Sequence, residues 1–144
     1  MSPEIASQIS WTAVLLATVA QFVVGAIWYM ALFAKPWGEM FGFDKLSKTE
    51  QKAMAAKMGP FYGLQIAVTL LTSYVLAHFV AAFPQASAYG IAFWLWLGFV
   101  VPTQVSAVIF GGVDPKWIPR RIGIMAFGSL ACLLTAALVF SQIH

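Results

Sequence analysis

Four long apolar segments constrain this chain of 144 residues more than any other feature. Apart from Arg120 and Arg121 at the start of the fourth, these segments contain no Asp, Glu, Lys or Arg. About 20 apolar residues are enough to cross the hydrocarbon core of a bilayer, so each segment is long enough to span it. The predicted spans are residues 9–33, 61–83, 88–110 and 118–141.

The composition excludes an ordinary soluble domain. Hydrophobic residues make up 61% of the chain and charged residues 9%, whereas soluble domains have roughly 45–50% and about 25%. We therefore predict an all-α fold, an integral membrane four-helix bundle that forms a single membrane domain over residues 1–144.

The positions of the cations predict the orientation of the bundle. All eight Lys and Arg residues lie in residues 34–60, in residues 111–117 or at the start of the fourth span. The positive-inside rule then places both loops in the cytoplasm and both termini outside, in the cytoplasmic (inner) cell membrane. Because these cations flank apolar spans instead of forming a stripe, we expect the lipid bilayer as the partner and no nucleic acid.

The first loop contains a predicted interfacial helix. Ser47 and Glu50 fit the S-x-x-E capping box that starts a helix, and a short amphipathic helix follows from about Thr49 to Met58, ending before Gly59-Pro60. A plain solvated connector is the alternative. The cations expected to contact anionic headgroups here and in the second loop are Lys48, Lys52, Lys57, Lys116, Arg120 and Arg121.

Neutral polar groups inside the spans are the candidate site. They are either interhelical hydrogen-bonding groups or the lining of a path for a small solute. Pro102 additionally removes a helical hydrogen bond, which predicts either a fixed bend or a hinge or binding notch. The candidate residues are Gln21, Gln65, Ser73, Pro102, Thr103, Gln104 and Ser106.

Depth in the membrane predicts which polar groups meet. Gln65 and Gln104 each lie about a turn and a half from the cytoplasmic end, so we expect them to share a level and to bond across helices or to water, because an unpaired amide in hydrocarbon is costly. The residues expected together near the midplane are Gln21, Thr72, Ser73 and Ser129.

Small or polar residues recur at every fourth position in three spans, which places them on one face of each helix. Such faces allow close approach of helices in lipid, so we expect the three stripes to meet. The stripes are Ala13, Ala17, Gln21 and Gly25; Gln65, Thr69, Ser73, Ala77 and Ala81; and Gly128, Cys132 and Ala136.

Reactive groups do not converge in the sequence. His78 has no second His, Cys or carboxylate nearby in sequence, and Cys132 is the single cysteine. The chain carries no phosphate-binding glycine loop and no nucleophile elbow. We therefore expect no metal, no cofactor and no catalytic residue.

Two tryptophan-rich helix ends resemble a known family. The stretches are GAIWYMALFAKPW (residues 25–37) and WLGFVVPTQVSAVIF (residues 96–110), with W-I-x-x-R at residues 117–121. They resemble the domain-of-unknown-function 1761 family of small prokaryotic membrane proteins over nearly the whole chain. This resemblance implies four spans and brings no established activity.

The function that these observations favour is a structural, assembly or interaction module of the membrane that self-associates or binds another membrane protein. The alternative is a passive pathway or carrier for a small neutral solute or lipid, formed by an oligomer, because four spans enclose little space alone.

Overall fold

The computed structural model describes residues 3–143, and every regular element within that range is helical. Short 3₁₀ turns, Phe43–Lys45 and Pro115–Trp117, supplement the longer helices. Four helices are long and apolar enough to cross a membrane, which confirms the predicted all-helical, four-span fold. The helices are α1 (Pro3–Ser7), α2 (Trp11–Leu32), α3 (Ala34–Met40), α4 (Lys48–Ala82), α5 (Ala88–Phe110) and α6 (Ile118–Gln142).

Serine side chains start three of the long helices. Ser10 and Ser87 accept from the backbone N–H three residues later, at 3.3 and 3.4 Å. Ser47 and Glu50 form the predicted capping box. The backbone N–H of Glu50 donates to Ser47 Oγ at 3.2 Å, and the backbone N–H of Ser47 donates to Glu50 Oε2 at 2.8 Å. Each contact satisfies a backbone donor that the first helical turn leaves free.

Helix α4 corrects one boundary of the sequence analysis. We expected the amphipathic helix to end at Gly59-Pro60. Instead, α4 runs through Pro60 without a break and is 35 residues long in total. A proline removes only one helical hydrogen bond, and the residues on both sides of Pro60 are exposed, so the freed carbonyl is accessible. At a rise of about 1.5 Å per residue, α4 is roughly 52 Å long, which exceeds a hydrocarbon core of about 30 Å.

The bundle is built around α2 and α6, which pack against each other along much of their length. Helix α4 packs on α2, and α5 packs on α6. The end of α2, the end of α5 and the start of α6 lie at the same end of the bundle. We call it the basic end, because the cations lie in the two loops there, 33–47 and 111–117, and at the starts of α4 and α6.

The apolar core lies away from the basic end. Its most buried members come from the first half of α2, the second half of α4, the start of α5 and the second half of α6. They include Val14, Ala17, Leu76, Ala92, Ala136 and Ala137. The four long helices are therefore packed together mainly in one half of the bundle.

The other half of α4 is open. Every residue from 52 to 68 is exposed, whereas Thr69, Ser73 and Leu76 further along the same helix are buried. We call residues 52–68 the open half of α4. This half of the helix leaves the bundle and packs against none of the other spans.

Two widened turns interrupt the regular spans, and both begin at a tryptophan. They are π turns, Trp28–Leu32 at the end of α2 and Trp96–Val100 in the middle of α5. The N–H of Phe33 bonds to the carbonyl of Trp28 at 2.9 Å, five residues back. A π turn shifts the register of a helix and so re-aims its side chains.

Candidate functional site

The best-buried polar contact joins α2 to α4. Gln21 donates from Nε2 to Ser73 Oγ at 2.7 Å, and both side chains are buried. Ser73 in turn donates to the carbonyl of Thr69 at 3.0 Å. The structure thus brings Gln21 and Ser73 together as predicted, whereas Thr72 is exposed and Ser129 contacts α5 instead.

Thr18 and Cys132 complete this contact. Thr18 Oγ1 lies 3.0 Å from Ser73 Oγ and donates to the carbonyl of Val14 at 2.8 Å. Cys132 on α6 lies 3.5 Å from the carbonyl of Gln21. The group therefore connects three helices through direct side-chain contacts. Sequence analysis did not include Thr18, although its depth one turn before Gln21 was a usable signal.

A second polar contact joins α5 to α6. Ser129 Oγ lies 3.4 Å from Gln104 Oε1 and 3.2 Å from Trp96 Nε1. The indole of Trp96 also donates to the carbonyl of Ala126 at 2.8 Å. Gln104 thus bonds across helices as predicted, but its partner is Ser129 and not Gln65.

The two tryptophans that begin the π turns hold α6 between them. Trp28 donates from Nε1 to the carbonyl of Ile124 at 2.9 Å, two residues before the carbonyl of Ala126 that Trp96 contacts. Gly128 makes this approach possible, because a Cβ at that position would lie 2.7 Å from Trp28 Nε1. Trp28, at the end of α2, is therefore a hydrogen-bond donor between two helices.

Gln65 is where the pairing prediction was wrong. Its Nε2 donates to Thr69 Oγ1 at 3.2 Å, within α4, and its side chain is exposed on the open half of that helix. We had expected a bond across helices or to water, but Gln65 lies on an exposed stretch of α4, and Gln104 bonds to Ser129.

Pro102 directly follows the π turn of α5 and is exposed, as are Thr103 and Ser106. Thr103 donates to the carbonyl of Phe99 at 2.6 Å, within its own helix. The π turn re-routes the backbone hydrogen bonds before the proline, since the N–H of Val101 bonds to Trp96. The structure therefore places a widened turn at the predicted bend.

The predicted small-residue stripes meet in the core. Members of all three belong to one buried cluster, namely Ala13, Ala17, Ala77 and Ala136. At Gly25 a Cβ would lie 3.7 Å from the sulfur of Cys132. Close approach of α2 and α6 therefore uses these small residues, as the sequence predicted.

The basic end has two ion pairs and several aromatic rings. Arg120 pairs with Glu39 at 3.0 Å and lies 4.6 Å above the ring of Trp117. Lys116 pairs with Asp114 at 3.5 Å. Arg121 stacks between the rings of two residues of the α3 region, Trp37 at 6.0 Å and Phe41 at 5.1 Å. The remaining predicted lipid-contact residues, Lys48, Lys52 and Lys57, are exposed on the first turns of α4.

His78 is buried near the end of α4. Its Nδ1 lies 3.0 Å from the carbonyl of Tyr74, and its ring meets that of Tyr74 edge to face at 4.3 Å. Its Nε2 has no hydrogen-bond partner within residues 3–143. In the same range, no three His, Cys, Asp or Glu side chains lie close enough together to hold a metal ion.

The long apolar helices, the direct polar contacts between them and the aromatic and cationic basic end define a multi-pass helical membrane protein. The chain belongs to the DUF1761 family, described as a protein of unknown function, whose family model matches residues 12–141. No curated protein and no solved structure matches it.

Proposed function

We propose that the protein is an assembly module of the cytoplasmic membrane that self-associates through the open half of α4. The observation that carries this proposal is the separation of that half from the rest of the bundle. Beyond Lys57 this half carries no charged residue, and an apolar helix that stands apart from its own bundle presents its whole circumference for packing against another helix.

Gln65 supports an occupant other than lipid. Its hydrogen bond to Thr69 uses one amide N–H, so the second N–H and the carbonyl have no lipid partner in the hydrocarbon region. An unpaired amide there costs about 1–3 kcal/mol on mutational scales. A second copy of α4, which carries its own Gln65, supplies both a donor and an acceptor.

Small residues support a close helix-to-helix approach. Gly59, Gly63 and Ala67 follow one another at every fourth position on the open half of α4, and a Cβ at either glycine would meet nothing within 4 Å. Membrane helices pair where small residues let two backbones come together, because lipid supplies no hydrophobic drive. A symmetric dimer buries the same face of both copies.

Cysteine cross-linking in membranes tests the proposal. In a Cys132→Ser background, Ala67→Cys should form a disulfide-linked dimer under mild oxidation. Val23→Cys is the matched control, since Val23 is also an exposed residue of a span, on α2. Gly63→Leu should lower the yield of the disulfide-linked dimer at Ala67→Cys, because the larger side chain would keep the two copies of α4 apart. Equal yields at both cysteine positions, or no dimer at either, would contradict self-association through α4.

A passive pathway for a small neutral solute is the second candidate, and the exposure of Gln65 is the observation that favours it. Gln21 and Gln104 hydrogen-bond directly to serines, so a path through one copy past these amides is not supported. In an oligomer, however, Gln65 and Thr69 from several copies would surround a common axis. Solute uptake into proteoliposomes that is lost in Gln65→Leu would favour this candidate over the assembly module.

The proposal includes an orientation and no catalytic role. The cations of both loops favour the basic end in the cytoplasm, with Lys48, Lys52 and Lys57 at anionic headgroups. A membrane-impermeant maleimide should therefore label Lys48→Cys only in inside-out vesicles. Labelling in intact cells would show that the basic end faces the outside of the cell, which would contradict the proposed orientation.

A further inference from the structure

A small pocket at the basic end lies between the α3 region and the start of α6. It has a volume of about 250 Å³ and is lined by Met40, Phe41, residues 111–114, Trp117 and Arg121. This is smaller than pockets for drug-sized ligands, which are roughly 300–1,000 Å³. The space suits a compact group, such as the polar head of a larger molecule.

Arg121 is the charged wall of this pocket, and its charge is not neutralised by the chain. Both ion pairs found in residues 3–143 use other cations, Lys116 and Arg120. The Nε of Arg121 is buried and has no hydrogen-bond partner in that range. Only this atom of the guanidinium is buried without a partner, and no ion pair in that range uses the outer N–H groups, so these groups are available to an acceptor from outside the chain.

The surroundings hold the guanidinium in place without satisfying it. The rings of Trp37 and Phe41 offer only their faces, at 6.0 and 5.1 Å. Asp114 also lines the pocket, but its carboxylate already accepts from the backbone N–H of Lys116 at 3.1 Å and pairs with the Lys116 ammonium. No side chain on the pocket wall therefore supplies an anion to Arg121.

The position of Arg121 in α6 adds to this imbalance. It lies in the first turn of a helix of 25 residues, where the helix macrodipole favours negative charge and disfavours a cation. An anion beside Arg121 would offset this unfavourable placement of the cation. Arg121 thus lies at the positive end of α6 and forms no ion pair within residues 3–143. An anionic ligand would supply the missing negative charge.

We propose that the Arg121 pocket binds a phosphate oxyanion. A guanidinium matches phosphate oxygens with its fork of N–H donors. The site lies at the end of three apolar spans beside Trp37 and Trp117, which is the level of lipid headgroups in a membrane. The phosphate group can come from an anionic phospholipid or from inorganic phosphate. This site does not depend on self-association through α4.

Calorimetric titration of the full chain in neutral detergent tests the proposal, with short-chain phosphatidylglycerol and inorganic phosphate as separate probes. The wild type should bind at least one probe saturably, at one site per chain. Arg121→Gln should weaken binding by roughly tenfold or more, as expected for hydrogen bonds to a charged group. Lys45→Gln is the matched control: it removes an equal charge from an exposed residue of the first loop that does not line the pocket, and its affinity should stay within about threefold.

The outcomes separate the two sources and decide the proposal. Binding of the lipid alone assigns the site to a headgroup, whereas binding of both probes shows that free phosphate suffices. No saturable binding of either probe to the wild type, or equal losses in Lys45→Gln and Arg121→Gln, would overturn the proposal. If Arg121→Gln fails to fold, Arg121→Lys replaces it. That variant keeps the charge and loses the fork, so wild-type affinity in Arg121→Lys would contradict phosphate binding by the guanidinium.

Discussion

At the scale of single residues, Ser73 is the acceptor on which the buried amide of Gln21 depends. Ser73→Ala should lower the free energy of unfolding by about 1–3 kcal/mol, because it leaves a buried donor without a partner. Thermal unfolding in detergent measures this loss. Thr72→Ala is the control one residue earlier: Thr72 is exposed, and its hydroxyl bonds to its own helix at Val68, so a change within about 0.5 kcal/mol is expected.

A double variant checks the reason for that loss. Gln21→Leu with Ser73→Ala removes both polar partners, and the pair should be more stable than the sum of the single losses implies. Strictly additive losses would show that the contact of Gln21 with Ser73 does not couple the two side chains.

Gly128 allows the indole of Trp28 to reach α6. Gly128→Ala should destabilise the protein by about 1–3 kcal/mol, since the added carbon would overlap with Trp28 Nε1 and force the ring away. The control is Gly123→Ala in the same helix, where a Cβ meets nothing within 4 Å. There the gain in helix propensity should stabilise by about 0.5–1 kcal/mol. Unfolding curves that shift in the same direction for both variants would contradict the close contact.

Residue-level pairing was only partly predictable from the sequence. Depth and the small-residue stripes were enough to place Gln21 near Ser73, because both helices stay packed at that level. They failed for Gln65, since depth gives the level of a side chain and not which helix stands beside it. The indole donors of Trp28 and Trp96 were missed because the π turns that re-aim these side chains have no clear signal in the sequence.

At the scale of elements, α4 is the helix whose length decides the shape of the molecule. Spin labels at Lys52→Cys and Ala67→Cys, in a Cys132→Ser background, should give one narrow distance distribution. The two Cα atoms are 15 residues apart in one helix, which corresponds to about 22 Å. Both sites are exposed within one copy. Because Ala67 lies in the proposed contact between copies, the labelled protein is diluted with excess unlabelled protein, so that the measured distances are those within one chain.

The alternative to this result is the helix break that the sequence favoured. Two separate helices on either side of Gly59-Pro60 would give a shorter or broad distribution, and that result would contradict a continuous α4. Pro60→Ala is the accompanying control, since it should leave the distance unchanged in a helix that already runs straight through.

Helix ends were predictable where a side chain fixes them. The Ser47 and Glu50 capping box marked the start of α4, and the predicted gap between residues 83 and 88 separated α4 from α5. Gly59-Pro60 misled because the same dipeptide ends a helix in water and is tolerated in a long membrane helix. Whether a freed carbonyl is satisfied depends on its surroundings, which the local sequence does not contain.

At the scale of the whole molecule, the bundle has a packed half and an open half. The core lies away from the basic end, and α4 leaves it on the side that carries Gln65 and the glycines. The number of spans and their apolar character followed from the sequence. The open side did not, because hydropathy is the same for a helix face that meets lipid and one that meets another helix.

The measurement that tests the central proposal most directly is an experimental structure of the protein in a lipid nanodisc. We predict a second copy packed along Gly59, Gly63 and Ala67, with the Gln65 amides hydrogen-bonded between copies. A single copy with lipid chains lying along residues 52–68 would contradict it.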